Sequence, residues 1–256
     1  MSESARPAPW EMVGPAWTDR LLQPLHAWIW RDARRRARKL LDFAETEEES
    51  GRDMTRAAEC TSDALLRRLY LRHAGDERRH AEVFRRRARE ILEELPASQA
   101  PVHFRANWLA PGERGLDDLE VQGAREDELL AFLHMSEKIA VGRFALYRQV
   151  LECDARTRGV FEDVLQDEAF HMNYTHAQLM RLNPGGWRWR LRAAWLGKIW
   201  RAYLRIAAAM GALAGGLILS LQYFLLLPAF ALLARRRREP DGWSEPRKES
   251  SLRSQY

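Results

Sequence analysis

Asp76-Glu77-Arg78-Arg79-His80 and Asp167-Glu168-Ala169-Phe170-His171 are two copies of one short pattern. In each, a glutamate and a histidine stand three residues apart. On an α-helix that spacing puts both side chains on one face, less than a turn apart, within reach of a single ion. One such pair arises readily by chance. Here each pair is preceded, about thirty residues earlier, by a further glutamate at a core-facing position: Glu47 before the first and Glu137 before the second. The duplication of the whole arrangement points to a helical protein with an internal metal centre.

Working outward from these pairs, a 3.6-residue apolar period predicts four helices within residues 31–182, an all-α domain. The first, about 31–59, carries Ala37, Leu40, Ala44, Glu47, Gly51, Met54 and Ala58 on one stripe. The second follows Thr61-Ser62-Asp63, any of which suits an N-cap, and presents Leu66, Tyr70, His73, Glu77, His80, Phe84 and Ile91 before Pro96. The stretch from Pro96 to about Asp117, with Pro101, Pro111, Gly112 and Gly115, is too long for an ordinary link and reads as a crossover. The third helix, to about Cys153, carries Leu130, Leu133, Glu137, Ala140, Phe144, Tyr147 and Leu151. The fourth, to about Leu182, carries Phe161, Val164, Glu168, His171, Thr175 and Gln178, and Asn183-Pro184-Gly185-Gly186 ends it. Two helical hairpins joined by one long crossover is the topology of a ferritin-like four-helix bundle.

Six ionisable side chains at matching depth on packed stripes would wreck an ordinary bundle, because a buried charge is costly unless something compensates it. Metal is the economical compensation. Four carboxylates and two imidazoles suit iron or manganese, and the absence of thiolates among them disfavours zinc. A Glu from each of two helices with a Glu-x-x-His from each of the others is the di-metal arrangement of helical bundles. Over residues 31–182 the chain therefore resembles the ferritin-like di-iron carboxylate superfamily, which includes rubrerythrins, ferritins, acyl-carrier-protein desaturases, bacterial multicomponent monooxygenases and membrane-attached quinol oxidases. The resemblance implies two iron ions, with manganese or a mixed pair as alternatives. It implies Glu47, Glu77 and His80 as one half of the ligand set and Glu137, Glu168 and His171 as the other, with Glu77 and Glu168 as bridges. Asp76 and Asp167 each precede a bridging glutamate, and are expected to take the second N–H of a ligating imidazole, as an aspartate does in the monooxygenase branch. Glu45, Glu47, Glu48 and Glu49 crowd one turn. Glu47 continues the inner stripe while Glu48 stands at its edge, so Glu47 is favoured over Glu48 as first ligand. His73, His134 and Tyr174 are left outside the site, as core residues.

The rest of the chain has a different character. Among 256 residues, 46% hydrophobic and 30% charged, the net charge is +5 and only two cysteines occur, Cys60 and Cys153, which supports neither a disulfide framework nor a thiolate zinc motif. Ile206 to Ala234 is uncharged over 29 residues, where about 20 suffice to cross a bilayer as a helix. It is read as one membrane segment, 206–234, and a re-entrant hairpin turning at Gly215-Gly216 is the alternative. Pro228 interrupts it, which membrane helices tolerate. Before it, residues 183–205 interleave tryptophans with cations, as in Trp187-Arg188-Trp189-Arg190, a pattern suited to lipid headgroups more than to a nucleic acid, so no nucleic-acid partner is expected. After it, residues 235–256 form a basic polar tail. Residues 1–30, rich in Pro and Trp without a sustained period, read as a tethered arm whose tryptophans touch lipid. Gly211 and Gly215 form a G-x-x-x-G that would permit a homodimer. The N-terminus shows no charged region followed by an apolar one, so the bundle is expected on the cytoplasmic side.

Three functions fit these features. A membrane-bound oxidase, hydroxylase or desaturase would activate dioxygen against a lipid-soluble substrate with electrons from an unidentified donor. An iron- or peroxide-handling protein resembling ferritin or rubrerythrin would need only the bundle. A non-catalytic helical membrane adaptor would pair its inward carboxylates with arginines such as Arg78, Arg79 and Arg148.

Overall fold

The computed structural model describes residues 13–96 and 124–237. The expected crossover, the tail from residue 238 and the first part of the N-terminal arm lie outside the described residues. The chain divides into two compact units, residues 1–197 and 198–256.

In the first unit the order is α1 (Trp17–Leu21), α2 (Gln23–Arg31), α3 (Ala33–Cys60), α4 (Ala64–Glu93), α5 (Glu126–Val150) and α6 (Ala155–Leu182), with α7 (Trp187–Leu221) beginning there. Three of the long helices start on an aspartate whose carboxylate accepts from first-turn N–H groups that would otherwise lack partners. Asp32 accepts from Arg35 N at 2.9 Å. Asp63 accepts from Leu65 N and Leu66 N. Asp154 accepts from Thr157 N at 3.0 Å. Asp63 is thus the cap among the three candidates before α4.

Helix α3 packs along α4, α5 along α6, and α4 meets α6. The approach of α3 to α4 is closest at Gly51, where an added Cβ would stand 3.3 Å from the Ala74 carbonyl oxygen and 3.4 Å from Glu77 Cβ. A larger residue there would push apart the helices that carry Glu47 and Glu77. Two apolar clusters fill the bundle. One includes Met54, Leu66, Tyr70, Leu130, Leu133 and Leu179, and the other Trp30, Leu40, Phe84, Phe144, Phe161 and Leu165. Along every one of the four long helices the sequence passes from one cluster to the other through a short polar stretch, so a polar layer is sealed between two apolar ones. Phe84, Leu133, Phe144 and Phe161 belong to this packing.

The arm differs from expectation. Among its described residues, α1 and α2 form two short helices, and Trp30 is wholly buried with its ring 5.0 Å from Tyr147 and 5.3 Å from Phe161. Asp19 is buried beside Arg143 Nε at 3.2 Å. Pro24 stands in the first turn of α2, where its missing N–H has no helical acceptor to lose. Helices of five and nine residues are too short to establish a period in sequence, which is why none is visible there. Trp17 and Trp28 remain exposed.

The segment before the apolar stretch also has bundle contacts. Trp187, Leu191 and Ala194 pack on the first apolar cluster, and Arg190 bonds Asp127 at 2.7 Å and Glu128 at 2.6 Å. In the second unit α7 runs on to Leu221, a π-helical turn covers Gln222–Leu226, and α8 (Leu227–Arg237) follows. The helix continues through Gly215-Gly216, so no hairpin turn forms there. The π turn sits where Pro228 would clash with the carbonyl four residues back, and widening the coil relieves that clash. The side chains of this segment are unburied, and its length and composition suffice to cross a membrane.

Candidate metal centre

The polar layer brings all six expected residues together, with a seventh. Two groups of buried donors form, each with its donor atoms within 4.8 Å of one another: Glu47, Glu77, His80 and Glu168, and His73, Glu77, Glu137 and His171. Glu77 belongs to both. Glu168 also faces both histidines of the repeated motif, with Oε1 3.3 Å from His80 Nδ1 and Oε2 4.0 Å from His171 Nδ1. His171 Nδ1 stands 3.7 Å from Glu77 Oε1. Helical spacing sets this up within each helix, and the facing of α4 against α6 sets it up between them.

Each motif aspartate reaches the histidine of the other motif. His171 Nε2 donates to Asp76 Oδ2 at 3.2 Å, and His80 Nε2 donates to Asp167 Oδ2 at 3.2 Å. Asp76 is in turn 3.9 Å from Arg72, and Asp167 pairs with Arg79. With Nε2 tied outward, the Nδ1 of each ring points at the carboxylates.

His80 Nδ1, His171 Nδ1, Glu77 Oε2 and Glu168 Oε2 are buried with no hydrogen-bond partner. Unsatisfied buried polar atoms are rare and costly in native proteins. Four of them converging from two helices on one spot fit cations, which would take all four lone pairs at once. The electrostatics agree. Burial, reinforced by the charges of neighbouring carboxylates, pushes the Glu77 and Glu168 carboxyls up to about 8. Glu47 and Glu137 are raised well above the ordinary glutamate range, again chiefly by burial. Burial holds His73 and His171 below the ordinary histidine value. Burial that disfavours the charged forms of His73, His171 and the four glutamates alike is a setting that a divalent ion could compensate.

Glu48 is directed elsewhere, onto Arg85 and Arg52. His134 gives Nδ1 to the Met172 carbonyl at 2.9 Å and stacks on His176, apart from the centre. His73, set aside on sequence as a core residue, instead borders the carboxylates and is bonded to Tyr174. The sequence does carry a signal for it, since His73 precedes Glu77 by four residues and so shares its face, but the second motif has Val164 at the matching place and the repeat therefore does not mark it. Two surface hollows, of about 430 and 600 Å³, are lined by residues such as Arg86 and Glu90 or Asp63 and Glu126, and neither includes a residue of the centre. Comparison of the chain with protein-family models, with curated proteins and with solved structures finds no match.

Proposed function

We propose that the protein is a membrane-anchored di-iron carboxylate oxidoreductase of ferritin-like architecture. The single observation carrying this reading is the convergence of Glu77, Glu168, His80 and His171, each with an unpartnered buried donor atom, between reciprocal Asp76–His171 and Asp167–His80 bonds. Glu47, His80 and Glu168 would hold one ion, Glu137 and His171 the other, and Glu77, common to both groups, would serve both. Such a pair of ions, when bound, supplies reducing electrons to dioxygen.

The chain's own residues have separable tasks in that reading. Asp76 and Asp167 fix the ring tautomers and keep the imidazole lone pairs aimed inward. The apolar clusters on either side exclude water and lower the local dielectric. The apolar helix through residues 206–234 would hold the enzyme at a bilayer, which favours dioxygen chemistry on a lipid-soluble substrate over simple iron handling. A soluble iron store has no need of an anchor. The adaptor reading asks the inward carboxylates to pair with arginines. Arg79 instead binds Asp163 and Asp167, Arg148 binds Glu162, and Arg78 donates to Thr55.

The test is metal content per chain, by elemental analysis of detergent-extracted protein reconstituted anaerobically with ferrous iron, beside Glu77→Ala and Glu168→Ala. About two irons in the wild type, lost in both variants, is the expected result. Oxygen consumption with lipid-soluble candidates then separates the oxygenase from the ferroxidase reading. A folded wild type that binds no metal sinks both.

A further inference from the structure

Three imidazoles border the carboxylates, and each turns one ring nitrogen to a partner outside the centre and the other toward the carboxylates. His80 and His171 turn one ring nitrogen outward to an aspartate and present the other to the centre. His73 turns Nδ1 to the Tyr174 hydroxyl at 2.8 Å and presents Nε2 to Glu77 Oε1 at 2.8 Å and Glu137 Oε1 at 3.6 Å. If Nδ1–H donates to the phenol oxygen, the Nε2 lone pair faces two carboxylate oxygens. Donors at about 2.1 Å from one ion, meeting near a right angle, stand about 3 Å apart, and the 2.8 Å to Glu77 and 3.6 Å to Glu137 lie on either side of that spacing. His73 also stacks on His171 with ring centroids 3.6 Å apart, so both imidazoles serve the same side of the centre.

We propose that His73 is a metal ligand, and that it makes the two metal positions unequal in their choice of ion. The proposal rests on the di-metal reading above. The position bounded by Glu47, Glu77, His80 and Glu168 offers three carboxylates and one imidazole. The position bounded by Glu77, Glu137, His73 and His171 offers two of each. Carboxylate oxygen suits manganese, whereas imidazole nitrogen suits iron. Iron(II) binds more tightly than manganese(II) at either position by the general order of divalent affinities, so the difference shows when iron is limiting. The position with His73 then takes iron, and the carboxylate-rich position accepts manganese.

The experiment uses the full chain in detergent, stripped of metal, loaded anaerobically with one equivalent of iron(II) and an excess of manganese(II), and crystallised. Anomalous diffraction at the iron and manganese absorption edges locates each element. The expected result is two ions, with iron enriched roughly tenfold at the position bonded to His73 Nε2. Iron shared equally between the positions overturns the proposal, as does a His73 ring that keeps its bond to Glu77 and touches no ion. Absence of ions from both positions overturns the di-metal reading itself, so the two failures are distinguishable. In crystals of His73→Ala loaded in the same way, iron should be shared evenly between the two positions while two metals per chain are retained. Should that variant fail to fold, the wild-type diffraction result decides alone.

Discussion

Asp76 and Asp167 show how much of a buried polar site lies in the residues behind its inward-facing groups. Each fixes the ring of the other motif's histidine, and neither is in a position to do so except through the pairing of α4 with α6. Replacing either with alanine is expected to weaken metal binding about 10–100-fold without unfolding the bundle, measured by competition with a chromophoric chelator. Unchanged affinity in both variants would remove their assigned task. The raised carboxyl values of the centre carry a second prediction. A group whose folded value is raised favours the folded state while protonated, so its contribution is full below the ordinary glutamate value and is lost as pH rises through the folded value, about 8 for Glu77 and Glu168. Metal-free protein should therefore melt at a lower temperature at about pH 8.5 than at about pH 5.5. Metal replaces those protons, so loading should strengthen with pH and reverse the trend. Melting curves in chelator and in iron, at both pH values, check the sign.

At the scale of elements, the helix ends contribute as much as the stripes. Asp154 caps α6, accepts the Thr157 hydroxyl at 2.5 Å, receives both contacts from Arg87 Nη2 at 3.1 and 3.2 Å, and lies 3.0 Å from Arg36 Nε. It joins α3, α4 and α6 at one point, and Arg87 and Asp154 are both buried. Asp154→Ala removes the α6 cap and leaves the buried Arg87 guanidinium only Glu90 and Thr157, at an expected cost of about 3–5 kcal/mol in denaturant unfolding. Burial alone would raise the Asp154 carboxyl, but Thr157 and Arg87 hold it below the ordinary aspartate value. Its contribution is thus present above the unfolded value and lost on acidification, opposite in sign to that of the metal-site carboxylates. Phe161, wholly buried among Trp30, Phe84, Phe144 and Tyr147, should cost about 3–5 kcal/mol on truncation to alanine. Glu59→Ala, exposed near the end of α3, should stay within about 0.5 kcal/mol.

At the scale of the whole molecule, a buried polar layer and an unburied apolar helix occur in one chain, and the proposed function gives each its complement: cations for the one, hydrocarbon for the other. The uncharged stretch from Ile206 to Ala234 includes Leu213, Leu217, Ile218, Leu219, Phe224 and Leu233, all exposed. Water-exposed apolar area of that extent marks an interaction surface, and its helical backbone satisfies its own hydrogen bonds as a bilayer requires. Wild-type protein expressed in cells is expected to stay with membranes through alkaline carbonate extraction. Leu219→Arg, costing about 3 kcal/mol near a helix centre, should reduce the inserted fraction, and Leu182→Arg on the bundle should leave it unchanged. Release of the wild type by carbonate would overturn the anchor.

Periodicity made the four long helices legible in the sequence, because a stripe repeated over seven or eight turns needs no tertiary information to be recognised. The duplicated Glu-x-x-His marked the polar layer, since charge at the same depth in two stripes is costly unless something compensates it. The apolar stretch was equally plain, being a matter of length and composition. What tertiary structure decided were the relations between helices: that Asp76 serves His171 and not its neighbour His80, that Glu47 rather than Glu48 faces Glu77, and that Arg87, one arginine in a basic run, is the one drawn inward by Asp154. It also decided the fate of short or unrepeated elements. Trp30 became core although its helix was too brief to show a period, and His73 joined the centre although nothing in the second motif matches it. A face can be read from spacing along one helix, whereas the partner it meets depends on how two helices are rotated and shifted against each other, which packing alone sets.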